Sequence, residues 1–136
     1  MEDIRDVLAR HGFSFKKKFG QNFLTDGNLL DAIVRDAGAD RETAVLEIGA
    51  GAGALTRALS AAAKRVLAYE IDPSLQPVLA ETLAGCENVE VVFGDFLRAD
   101  LPALERELGR YCVVANLPYY VTTPVMMRFL EEAHSC

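Results

Sequence analysis

Apolar runs alternate with helix-forming stretches along most of this chain, and that alternation restricts the fold more than any other feature. The runs at 44–48, 65–71, 89–93 and 111–115 are rich in Val, Leu and Ile or Tyr. Helix-like stretches near 53–63, 74–84 and 101–108 separate them, and a last one runs from about 123 to 133. Strands this apolar need cover on both faces, which parallel β-α-β units supply. The sequence therefore predicts an α/β chain with an open, mostly parallel, Rossmann-like sheet that ends after about the fourth strand. In such sheets ligands sit beyond the carboxyl ends of the strands.

Ahead of the alternation, residues 2–11 read as a short amphipathic helix with Ile4, Val7 and Leu8 on one face. A basic, glycine-punctuated loop follows from Gly12 to Leu24. Thr25 or Asp26 then caps a helix on which Leu29, Leu30, Ile33 and Val34 recur at helical spacing. Two parts result: an N-terminal helix and basic loop at 1–24, and the α/β domain at 25–136. The run 111–115 is apolar throughout, as in a central strand, yet no later strand follows to cover its edge. An uncovered apolar edge invites pairing. The reading is an incomplete sheet, with the C-terminal strands absent, and self-association through that edge.

Composition narrows the partners. The 136 residues are one domain at most, large enough to bury a core. Three cysteines form no C-x-x-C pair, which argues against zinc and, with the odd count, against a disulfide framework. A reduced, cytoplasmic compartment fits. No apolar stretch approaches the roughly 20 residues of a membrane helix, and the N-terminus lacks a signal-peptide pattern. The net charge of −6 is awkward for binding a polyanion. The dense basic run is Lys16-Lys17-Lys18, supported by Arg5, Arg10 and His11. It is the candidate nucleic-acid contact.

The chemistry concentrates at strand ends. Glu47-Ile48-Gly49-Ala50-Gly51-Ala52-Gly53 follows a strand and opens a helix, so bare backbone at Gly49 and Gly51 lets a ligand approach closely. The spacing is G-x-G-x-G rather than the dinucleotide G-x-G-x-x-G. It favours a cofactor without a pyrophosphate, S-adenosylmethionine over NAD. The same residues also make a tight strand-to-helix turn with no ligand. Glu70 ends the second strand about twenty residues further on, where a carboxylate reaches both hydroxyls of a ribose. Asp72 precedes Pro73 and caps the next helix. Asp95, in Gly94-Asp95-Phe96, ends the third strand and can accept from an adenine amino group, with Phe96 packed nearby; it also suits a simple turn.

Asn116-Leu117-Pro118-Tyr119-Tyr120 follows the fourth strand. The amine of adenine is a poor nucleophile because its lone pair is delocalised into the ring. The Asn116 side-chain oxygen and a carbonyl near Leu117 and Pro118 can accept its two N–H bonds, freeing that lone pair toward a sulfonium methyl. Alignment of this kind lowers a barrier by roughly 7–11 kcal/mol. Tyr119 offers a face for a flipped-out base, worth about 1–3 kcal/mol. As a bare tetrapeptide, the motif is equally a strand-ending turn whose rings fill core.

These segments resemble, in order, the ribosomal RNA adenine N6-dimethyltransferases, relatives of the erythromycin-resistance methyltransferases. The matching residues are Phe19-Gly20-Gln21-Asn22-Phe23-Leu24, Glu47 to Gly51, Glu70-Ile71-Asp72, Gly94-Asp95 and Asn116 to Tyr120. The resemblance implies a Rossmann-like S-adenosylmethionine-dependent methyltransferase fold. It also implies cofactor contacts at Asn22, Leu24, Gly49, Glu70, Asp95 and Asn116. Leu117 and the double tyrosine look more like the branch that dimethylates adenines in small-subunit rRNA, making the small ribosomal subunit the partner. The family continues into further strands and a helical domain that this chain lacks. Alternatives are a non-catalytic module that binds cofactor or RNA, a large-subunit enzyme of the resistance type, and an NAD-dependent oxidoreductase.

Overall fold

The computed structural model describes residues 4–12 and 27–115. Its elements follow the sequence order: α1 (Ile4–Arg10), α2 (Gly27–Asp36), β1 (Ala44–Ile48), α3 (Ala54–Ala62), β2 (Arg65–Glu70), α4 (Gln76–Thr82), β3 (Val89–Phe93), α5 (Leu101–Leu108) and β4 (Tyr111–Ala115). Single 3-10 turns at Pro73–Leu75 and Phe96–Arg98 lead out of β2 and β3. The four described strands are parallel, in the order β3-β2-β1-β4. Sequence order runs outward from β1 to β3, then jumps back to place β4 on the other flank of β1. The boundary between β1 and β4 is thus the switch point, where α/β sheets open a crevice.

Side-chain alternation sorts the strands onto two cores. Val45, Val66, Ala68 and Val114 face α2, α3 and α4, packing with Val34, Leu55, Leu59 and Leu79. Ala44, Leu46, Ile48, Leu67, Tyr69 and Tyr111 face the other way, against Leu101 and Leu108 of α5 and against Phe96. Leu46, Leu59, Leu67 and Leu101 are essentially sealed from water; each such side chain contributes about 1.5–3 kcal/mol relative to exposure. Every residue of β1 is buried, as befits a strand with a neighbour on each side. α1 buries Ile4 and Val7 and packs on α4, where Arg10 and His11 both reach the Glu81 carboxylate, His11 Nε2 at 2.8 Å.

Most expected boundaries hold within a residue or two. The second strand stops at Glu70 rather than Ile71, and the helix expected at 74–84 opens with the 3-10 turn. Asp72 caps that turn as expected, accepting from Ser74 N–H at 2.9 Å with Pro73 in the first position. β4 stands at the edge of the described sheet, with Tyr111 and Val114 buried and Cys112 and Val113 half-buried. The capping residues Thr25 and Asp26 and the helix expected at 123–133 lie outside the described residues. No helix among the described residues is long and apolar enough to cross a membrane.

Candidate functional site

Three strand carboxyl ends converge at one rim of the sheet. β1 ends at Ile48, whose register partners are Tyr69 on β2 and Ala115 on β4. β2 ends at Glu70, paired with Phe93 of β3. Gly49, Glu70 and Gly94-Asp95 therefore emerge side by side. The loop that leaves β1 is tied back to β2: Gly49 and Ala50 N–H donate to the Tyr69 carbonyl at 2.8 and 3.2 Å. Gly51 N–H donates to Glu70 Oε1 at 2.7 Å, and Asp72 N–H to Glu70 Oε2 at 3.0 Å. Glu70 is buried, and each carboxylate oxygen keeps a second lone pair for a ligand hydroxyl.

The three glycines do different work. Gly49, Gly51 and Gly53 all have positive φ, at 90°, 57° and 92°, a region L side chains rarely enter. A Cβ on Gly53 meets Leu79 and Thr82 side chains at 3.0 Å, so Gly53 is demanded by the contact between α3 and α4. A Cβ on Gly51 meets nothing within 4 Å. The loop is thus open at Gly51, on the same rim as Glu70. That leaves room for a close-fitting ligand, while the positive φ at Gly51 equally suits a tight strand-to-helix turn.

Asp95 caps the turn after β3, accepting from Leu97 N–H at 2.9 Å, and stays half-buried. Its turn-stabilising part is real and leaves its second oxygen available. The Phe96 ring is buried in the core on the α5 face, edge-on to Tyr69 with centroids 5.3 Å apart. Ile71 and Leu97 are the exposed large hydrophobics among the described residues, at 69% and 39%. They follow Glu70 and flank Asp95's turn, so two apolar side chains stand free beside two carboxylates. Sequence reading passed over both as a ligand surface; the signal for Ile71 was an apolar residue directly after a strand-ending acid. Asn22, Leu24, Lys16, Lys17, Lys18, Asn116, Leu117, Pro118 and Tyr119 lie outside the described residues.

Glu47 lies beneath the loop, with none of its surface exposed. Thr56, in the first turn of α3, donates its hydroxyl to Glu47 Oε1. Burial pushes the Glu47 carboxyl up to about 8; the Thr56 hydrogen bond opposes this, and the negative charge of Glu70 adds to it.

A parallel sheet with this strand order, a glycine loop after β1, an acid ending β2 and another two residues beyond β3 is the arrangement of a Rossmann-like nucleotide-cofactor fold. The chain belongs to the family described as Ribosomal RNA adenine dimethylase, whose profile matches residues 12–136. It is 52% identical over 132 residues to the Ribosomal RNA small subunit methyltransferase A of Bacillus licheniformis, covering 94% of this chain and 45% of that protein. Its identity to the protein of the same name from Enterococcus faecalis is 51% over 133 residues, covering 95% and 45%. The chain thus spans less than half the length of these relatives. Among solved structures, the 23S rRNA methyltransferase ErmE superposes with a TM-score of 0.70 at 37% identity, covering 81% of this chain and 43% of that one. A dimethyladenosine transferase from Plasmodium falciparum gives 0.65 at 29% identity, covering 78% and 37%.

Proposed function

We propose that this chain is the cofactor-binding part of an enzyme that transfers methyl groups from S-adenosylmethionine to the N6 amine of adenines in small-subunit ribosomal RNA. The observation that carries the reading is the Glu70 carboxylate. It holds the glycine loop through Gly51 N–H while standing on the same rim as the open face of Gly51. A bare loop with an acid at this distance suits a ribose. Asp95 suits the adenine amino group, and Ile71 and Leu97 suit the faces of its ring. Gly49 supplies backbone, and Phe96 supports the rim from the core.

When bound, the cofactor supplies an electrophilic methyl on a sulfonium. The protein's part is to bind, orient and exclude water. In this reading Asn22 and Leu24 complete the cofactor contacts. The Asn116 side-chain oxygen and a carbonyl near Leu117 and Pro118 accept the two N–H bonds of the target amine, and Tyr119 stacks on the base. No strong base is required, because alignment carries much of the gain. Lys16, Lys17 and Lys18 meet phosphates. The higher identity to relatives named for the small subunit favours that RNA over the large-subunit substrate of the resistance type. A cytoplasmic location and self-association through the β4 edge belong to the same reading; a concentration-dependent mass in light scattering tests the latter.

The test has two stages. Calorimetric titration with S-adenosylhomocysteine should show saturable one-site binding, with no binding of NAD. Incubation with unmethylated small ribosomal subunits and labelled cofactor should then place label in N6-methylated adenine. Binding without transfer makes the chain a non-catalytic module, and binding of NAD alone refutes the reading.

A further inference from the structure

Glu47 is the penultimate residue of the most buried strand, at the switch point, and its environment is unusual for an acid. Its register partners are Ala68 on β2 and Val114 on β4, so both neighbouring strands present apolar side chains at its level. From α3 it receives the Thr56 hydroxyl at Oε1, while Oε2 has no hydrogen-bond partner among the described residues. Among the described residues, the charged or titratable groups on the elements around it are few. Glu70 lies on the same face of β2, two residues beyond Ala68, roughly 8 Å away from strand geometry. Arg57 is the charged residue of α3, and the Cys112 thiol shares the face on β4. Glu70 repels a second negative charge. A sealed carboxyl with one unpartnered oxygen and an acid for a neighbour is held as the neutral acid.

We propose that Glu47 gives up its proton when a cationic ligand enters the crevice, so that cofactor binding by this chain releases one proton. The inference rests on the cofactor reading above. Ligands of such sheets lie just beyond the strand ends, and a residue one step inside β1 is within a few ångströms of that space at about 3.3 Å per residue. A positive charge there, in surroundings of low dielectric, favours the carboxylate that the free protein disfavours. The O–H bond of Glu47 breaks, the electron pair stays on the carboxylate, and the proton passes to solvent. The demethylated product carries a neutral thioether in place of the sulfonium. Glu47 therefore takes a proton back when product replaces substrate, and the site distinguishes the two by charge.

The experiment is calorimetric titration of the 136-residue chain near pH 6 with S-adenosylmethionine and with S-adenosylhomocysteine, each in buffers of different ionisation enthalpy. The buffer dependence should give close to one proton released per sulfonium ligand bound, and clearly less for the thioether. Affinity for S-adenosylmethionine should rise up to about tenfold per pH unit below pH 7. Glu47→Gln keeps the acceptor for Thr56 and the shape of the neutral acid. It should bind with no proton release and a flat pH profile. If that variant does not fold, the buffer dependence of the unaltered chain decides alone. Binding of S-adenosylmethionine without proton release, or with equal release for both ligands, overturns the proposal. Saturable binding of neither ligand overturns the cofactor reading, and the proposal falls with it.

Discussion

Alanine in place of Gly53 and alanine in place of Gly51 should separate the part of the glycine loop that packs from the part that binds. At Gly53 two penalties add. The backbone sits at φ 92°, and a left-handed conformation costs an alanine about 1–2 kcal/mol. The new methyl also meets Leu79 Cδ2 and Thr82 Cγ2 at 3.0 Å, and both residues are buried. Overpacking of this kind costs about 1–3 kcal/mol. Gly53→Ala should therefore lose about 2–5 kcal/mol, a large share of the roughly 5–15 kcal/mol that holds a domain together. Its melting temperature should fall by about 10 °C or more. At Gly51 the backbone penalty stands alone, because nothing lies within 4 Å of the added carbon. Gly51→Ala should lose only about 1–2 kcal/mol but bind S-adenosylhomocysteine poorly. Urea unfolding followed by far-ultraviolet circular dichroism measures the first difference, and calorimetry the second. Gly53→Ala within about 1 kcal/mol of the parent, or Gly51→Ala as the less stable of the two, would refute the division.

The raised Glu47 carboxyl gives stability a direction with pH. The folded chain holds this proton up to about pH 8, and the unfolded chain loses it near 4.5. The folded state thus binds more protons between those values. Its contribution is fully present below about pH 4.5 and is lost as pH rises toward 8. Glu47→Gln should flatten the decline across that window, measured as urea midpoints at several pH values; an unchanged slope assigns it to other groups. Glu70→Ala removes the acceptor for Gly51 and Asp72 N–H. It should cost about 1–3 kcal/mol of stability and weaken S-adenosylhomocysteine binding at least tenfold; unchanged affinity makes Glu70 purely structural. Asn116→Ala should keep most cofactor affinity while abolishing methyl transfer in any active form. Retained N6-methylation of adenine sinks the role given to its amide.

The strands were legible because β1 and β2 are buried on both faces and carry mostly apolar runs, and β3 and β4 keep such runs at the edges of the described sheet despite Glu90. β1, β3 and β4 fall where the runs at 44–48, 89–93 and 111–115 placed them. Asp72 and Pro73 were legible for a different reason, since a capping acid before a first-position proline is a local signal. What escaped depends on contacts between distant residues. Nothing in Gly-Ala-Gly-Ala-Gly says that Gly53 faces α4 while Gly51 faces open space. Phe96 read as a neighbour of the cofactor, but its ring turns into the core against Tyr69 of the preceding strand. Ile71 read as the end of a strand and is instead the most exposed large apolar side chain described. Glu47 was visible as an acid before a glycine loop; its state follows from Thr56 and from sealing by two neighbouring strands.

The jump in strand order also sets a timetable for synthesis. β1, β2 and β3 pair between near neighbours in the chain, and each crossover is a single helical excursion. β1 gains its second neighbour only when Tyr111 to Ala115 have been made. Until then the most buried strand presents a bare flank, the kind of surface on which nascent chains aggregate. Pairing across that separation is also the slowest kind to form. The crevice is bounded by the first strand made and the last one described, so it is finished late.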